Sequence, residues 1–271
     1  MFMPTMLPSK NSDGLPAIPL TEEQRYFFDL RGWMLIPSVL SEDEVAELKE
    51  FCYRLHRDKN AVPLAQRSSV GGPLQKLTDH PVVVGFMNEL VAYEHTASES
   101  GYGFRLEGTF LTIRAEGHDN YSPHGGGGMF NFHGNSHHYG CRPGAISSAL
   151  TRVVWELNPV RKGEGGTVFL TGSHKAAFPA PKSVWSDRHS PYWEDYECPA
   201  GSCLIFTEAI SHSGARWTNP EWDRVAIFNC YNTIGAKWHE WQPHPELLAD
   251  MPPLRQSLFR GVYCERNQIT G

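Results

Sequence analysis

The chain has 271 residues, 40% hydrophobic and 20% charged, with a formal net charge of −6 and a pI near 6.1. That balance excludes a nucleic-acid backbone or an anionic membrane surface as the main partner. It permits a small anionic ligand, because one buried arginine can hold a carboxylate inside an acidic protein.

Residues 1–20 carry four prolines among Ser, Asn, Asp and Gly, and are expected to form a flexible arm. Thr21 followed by Gln24 is a capping-box pattern, opening a helix that Gly32 stops. Trp33–Ile36 reads as a short strand ended by Pro37. Ser41 caps a second helix, in which Val45, Leu48, Phe51, Cys52 and Leu55 recur at helical spacing. A third helix is expected over 80–98, beginning at Pro81. After Gly101 the texture changes to short apolar runs between Gly- and Pro-rich turns. Strands are expected at Phe104–Arg114, Ile146–Leu157, Thr167–Thr171, Ser202–Thr207 and Arg224–Asn232, and a short helix near Pro245–Met251. Such a run of strands points to a sandwich or jelly roll.

The six cysteines include no CxxC pair, so we read reduced thiols and a cytoplasmic setting. No apolar run approaches ~20 residues, so no membrane span is expected. Residues 1–18 lack the basic and apolar regions of a secretory signal.

Six of the thirteen histidines lie between His118 and His174. A buried strand also leads to His212, and the next strand opens at Arg224. A histidine at one strand's exit and an arginine at the next one's entry can face one cavity. Imidazole suits iron, and a guanidinium grips a carboxylate with two parallel bonds. On the residues alone, a surface pair in an exposed turn is the competing reading. His174 reads as a turn residue or a support for a ligand. Glu164 and Glu208 have no spacing that argues for acid–base work, Ser213 has no visible base partner, and Trp155 reads as core.

Three segments together resemble the phytanoyl-CoA dioxygenase family: Gly32-Trp-Met-Leu-Ile-Pro-Ser-Val-Leu-Ser-Glu-Asp-Glu-Val45, Gly165-Gly-Thr-Val-Phe-Leu-Thr-Gly-Ser-His-Lys175 and Gly201-Ser-Cys-Leu-Ile-Phe-Thr-Glu-Ala-Ile-Ser-His212. The resemblance spans most of residues 21–235. It implies an all-β core, a cupin-like double-stranded β-helix or jelly roll, with amino-terminal α-helices packed outside. The expected division is a helical part at about 21–100, a core at about 101–238 and an extension at 239–271, all one oxygenase domain.

The resemblance also implies Fe(II), 2-oxoglutarate as co-substrate and O2. They would serve to hydroxylate or otherwise oxidise an unactivated C–H bond of a small molecule. In that family a His-x-Asp pair and a distal histidine hold the iron. Here His212 matches the distal histidine, Arg224 the 2-oxoglutarate arginine and His124 best matches the first histidine, which places Gly126 where the carboxylate belongs; His133, with Asn135 in the carboxylate position, is the alternative register, and His118, His137 and His138 come after it. Water, a halide, His133 or Asn135 are candidates for the vacated position. Halogenases that use 2-oxoglutarate resemble this His-x-Gly pattern, so halogenation is the alternative reaction. A homologue that binds metal or a small molecule without catalysis is the other. The substrate and the oligomeric state are not readable.

Overall fold

The computed structural model describes residues 7–126 and 137–263. Helix α1 (Glu22–Arg31) opens with a reciprocal cap: the Gln24 N–H donates to the Thr21 hydroxyl, and the Thr21 N–H to the Gln24 side chain. Gly32, at φ +80°, ends it in the left-handed conformation that favours glycine. Strand β1 (Trp33–Ile36) follows, and Ser41 and Glu44 repeat the capping box at helix α2 (Glu42–Arg57). Helix α3 (Pro81–Leu90) starts at the expected proline but ends short of residue 98. There the Ala92 N–H turns back to Met87 O and the Tyr93 N–H crosses to Gly103 O, which steers the chain into the first long strand.

The remaining strands are β2 (Phe104–Arg114), β3 (Tyr139–Arg142), β4 (Ala145–Ser148), β5 (Thr151–Glu156), β6 (Gly166–Leu170), β7 (Trp193–Glu194), β8 (Ser202–Thr207), β9 (His212–Ala215) and β10 (Arg224–Thr233). The single strand expected over Ile146–Leu157 is two. Ala149 donates to His138 O and Leu150 accepts from the Glu208 N–H, so the ladder breaks there. β4 then pairs with β3, while β5 enters a five-stranded antiparallel sheet of order β1-β8-β5-β10-β2. A second sheet has the order β7-β6-β9.

Alternation along the strands sorts side chains into two cores. Val153 and Trp155 of β5, Ile205 of β8 and Val225 and Ile227 of β10 share one buried cluster with Phe28, Leu48, Phe51, Val83 and Phe86 from the helices. Val154, Leu204, Phe206, Ala226 and Phe228, from the alternate positions, cluster with Phe169 of β6 and with Trp33 and Trp217. The functional residues described below are set around this second core.

A loose arm is the expectation for residues 1–20, yet its described part is pinned to the body. Asn88 donates to Pro8 O at 2.9 Å, the Ile18 N–H to Pro81 O at 3.0 Å and the Ser12 N–H to Asp79 at 3.1 Å. Buried Asp79 also accepts from Tyr102 and from Arg255 of the carboxy-terminal segment, whose guanidinium reaches Asp13 as well. One carboxylate thus ties both ends of the described chain together. Among the described residues no helix is long and apolar enough to cross a membrane.

His174 lies in the short turn after β6, fully buried. Its Nε2 is 3.0 Å from Asp29 O, and its ring meets Tyr139 edge-on with centroids 4.6 Å apart. A Cβ at residue 32 would run into this ring, a second reason for Gly32. Burial pulls the His174 pKa from 6.5 down to about 4. Between those values the unfolded chain binds a proton that the native protein refuses, so stability rises with pH. The His174 contribution, roughly 3 kcal/mol, is complete above about pH 6.5 and is lost as pH falls toward 4. Urea unfolding of the metal-free protein across that range is expected to show the slope, and His174→Gln is expected to remove the His174 share of it, leaving the share of the other buried histidines.

Candidate metal centre

His124 and His212 come from segments far apart in the chain, joined by an isolated antiparallel bridge. The His124 N–H donates to His212 O at 3.0 Å and the His212 N–H to His124 O at 2.9 Å. Residues so paired put their side chains on one side of the ladder, and the two imidazole centroids are 4.1 Å apart. Each ring is turned by its own strand. His124 Nδ1 lies 2.7 Å from Ser122 O and His212 Nδ1 lies 3.0 Å from Ile210 O. A carbonyl accepts only, so both Nδ1 atoms carry the proton and both Nε2 atoms keep their lone pairs. Histidines fixed in this way are ready to ligate a metal. Burial first, then the nearby His124, lowers the His212 pKa to about 4, although Glu208 opposes the shift, so the ring is neutral at physiological pH.

Glu208, for which no spacing argued acid–base work, completes a cluster with these two. Its carboxylate and the two histidine nitrogens all lie within 4.8 Å of one another, and its Oε2 is 3.6 Å from His212 Nε2. Burial alone would raise this carboxyl; the charge of Arg152, which it pairs with, and of His212 pulls it down to about 2. One signal pointed to it: with Leu204 and Phe206 it continues the inward-facing alternation of β8, where an unpaired carboxylate would be costly. Glu164, the other acid set aside, accepts from Asn219 in a turn.

A cavity of about 370 Å³ opens at the cluster, lined by His124, His137, Leu150, Arg152, Glu208 and Trp238 among others. Gly126 borders it too, and a side chain there would be strained. Its φ is +74°, and a Cβ would overlap Ser211 Oγ. His133 and Asn135 lie outside the described residues. His118 sits in a turn bonded to Ala115 and Trp217, and His138 borders a different cavity.

Arg224 does not line the cavity at the histidines. It is buried at the start of β10, bonded to Glu156, to Tyr196 Oη at 3.1 Å and to Thr167 Oγ1 at 3.4 Å. Burial would lower its pKa, and the Glu156 carboxylate overrides this and raises it. Its Nη1 is buried without a hydrogen-bond partner, a state that normally calls for a ligand or water. Arg114 lies opposite Arg224 in the β2–β10 register, its pKa brought to about 10 by burial and then by the Arg224 charge. Arg114 donates to Thr112 and Asn120 and only Arg224 pairs with Glu156, so two guanidiniums lie near a single carboxylate, an arrangement that suits an anion. Thr167, which touches Arg224, is two residues along β6 from Phe169, the register partner of His212. That separation is roughly 7 Å of strand.

The sequence profile of the phytanoyl-CoA dioxygenase (PhyH) family matches residues 28–226, so the chain belongs to that family. No curated protein sequence matches it. Among solved structures, HygX from Streptomyces hygroscopicus, determined with nickel and 2-oxoglutarate bound, superposes with a TM-score of 0.63 at 22% identity, covering 82% of this chain and 90% of that one. HygX has also been determined with iron, and with nickel, 2-oxoglutarate and hygromycin B. EctD from S. alaskensis gives a TM-score of 0.59 at 15% identity, covering 93% of this chain and 91% of that one. A nickel complex of the non-heme monooxygenase ThoJ gives 0.51 at 15% identity, covering 77% and 76%. These likenesses show the fold.

The positive φ at residue 126 makes a sharp prediction. Gly126→Asp, which would write the family's His-x-Asp back into the sequence, is expected to lose roughly 1–3 kcal/mol of stability and to bind divalent metal no more tightly than the parent. Denaturant unfolding and calorimetric metal titration check the two halves.

Proposed function

We propose that this chain is an Fe(II)- and 2-oxoglutarate-dependent oxygenase that oxidises an unactivated C–H bond of a small molecule. The observation that carries the reading is the His124–His212 pair, whose two Nε2 lone pairs are freed by carbonyl contacts at both Nδ1 atoms. The likeness to structures that hold iron or nickel and 2-oxoglutarate supports it. The two sheets and the core between them fit the jelly roll that the family implies.

In this reading His124 and His212 hold the iron, which supplies the activation of O2 coupled to oxidative decarboxylation of 2-oxoglutarate. Arg224 binds the far carboxylate of the co-substrate through Nη1, while Glu156 and Tyr196 keep the guanidinium oriented. The strand distance between Thr167 and the His212 level matches the length of a five-carbon dicarboxylate. Trp238, His137 and Leu150 line the space where a small molecule would sit and keep bulk water from it. Hydroxylation is favoured over halogenation because an acidic side chain already stands beside the histidines.

The test is succinate formation from 2-oxoglutarate under air with added Fe(II), which needs no knowledge of the substrate. His212→Ala is expected to abolish it. Arg224→Lys keeps a cation opposite Glu156 but removes Nη1, and is expected to raise the KM for 2-oxoglutarate about 10- to 100-fold, the worth of one charge-assisted bond. Succinate release that ignores both substitutions would refute the proposal.

A further inference from the structure

The geometry points to Glu208 as the anionic ligand of the metal centre, supplied from the exit of β8 in place of the carboxylate that Gly126 lacks. The inference rests on the reading of His124 and His212 as metal ligands and adds the third protein donor to them.

Four observations converge on it. Glu208 is 3% exposed and its oxygen lies within 4.8 Å of a nitrogen of each histidine. Its two oxygens are already divided in role: Oε1 is held by the Arg152 Nε–H, and Oε2 is turned toward the His212 Nε2 lone pair. The backbone enforces the meeting. The Glu208 N–H bonds to Leu150 O, the Ile210 N–H turns back to Thr207 O, and the Ser211 N–H is held by Ser173 Oγ, so the chain from 208 to 212 folds over one point. The alternative source is disfavoured, because residue 126 has a positive φ and a Cβ there would have to displace the Ser211 hydroxyl.

Arg152 is then a positioning residue. It lies opposite Phe206 and Cys230 in the five-stranded sheet, on the inward face, and holds one oxygen so that the other presents to the metal. With two imidazoles and one carboxylate from the protein, the halide-binding gap that a His-x-Gly sequence suggests does not exist here.

The test is cobalt(II) titration of the metal-free protein without 2-oxoglutarate, read by calorimetry and by the visible absorption of the bound ion. Loss of a group that merely supports a ligand costs about 10- to 100-fold in affinity, so Glu208→Gln is expected to cost at least about 100-fold. Because that variant leaves Arg152 buried and unpaired, Arg152→Met/Glu208→Gln is measured beside it, with near-ultraviolet circular dichroism to show that it folds. Parent-like cobalt affinity in the folded double variant, with His124→Ala and His212→Ala both losing the metal, overturns this inference alone. Parent-like affinity in the histidine variants overturns the reading beneath it. Loss in all of them, with the charge-free double variant folded, supports Glu208 as a ligand.

Discussion

His124 and His212 exchange both of their main-chain hydrogen bonds, and the proposed metal site depends on this single bridge. It joins the loop after β2 to the first residue of β9. It sets two imidazoles on one side of the ladder, their planes tilted by 58°, and local carbonyls then choose the tautomer of each. The glycines that follow His124 serve the same bridge. A Cβ at Gly125 would overlap Ile210 O and approach Glu208 O to 2.8 Å, so the loop can close on the turn only without side chains there. The Gly-Gly that removes the family's carboxylate is thus also what lets the loop lie against the stretch carrying Glu208.

Charge is distributed with equal economy. Two buried clusters flank the aromatic core of Phe169, Phe206 and Phe228. At one, Arg152 and Glu208 balance each other beside the histidines. At the other, Arg224 and Arg114 lie near the single Glu156 carboxylate, while burial raises the pKa of the Tyr196 phenol beside it. A balanced pair can host a metal held by a carboxylate, while an unbalanced one favours an incoming anion. The distance between them is set by strand register, which does not depend on side-chain flexibility.

Much of this was legible in the chain. Both capping boxes, the Gly32 stop and the strands at Phe104, Ser202 and Arg224 are written in local patterns, and the structure places them there. The break at Ala149–Leu150 was not legible, because it depends on partners at His138 and Glu208 that no local pattern encodes. The end of α3 at Leu90 has the same origin, in a bond to Gly103. In the candidate site, His124 and His212 stand out by a spacing that resembles a family's. Glu208 does not, because that family's spacing puts the carboxylate just after the first histidine. Its signal was the strand alternation, which tells which way a side chain faces but not what lies across from it.

Gly32 has a further effect. Its carbonyl accepts from the Thr207 N–H, one residue before Glu208, while Arg31 O accepts from Gly172 at the turn whose Ser173 hydroxyl holds Ser211. The carboxy-terminal end of α1 is therefore built into the footing of residues 207–212. These contacts are among the most distant along the chain, and contacts of that kind form slowly because a long loop must close first. The proposed metal centre thus rests in part on the docked amino-terminal helix, whose end helps hold the stretch that carries Glu208 and His212.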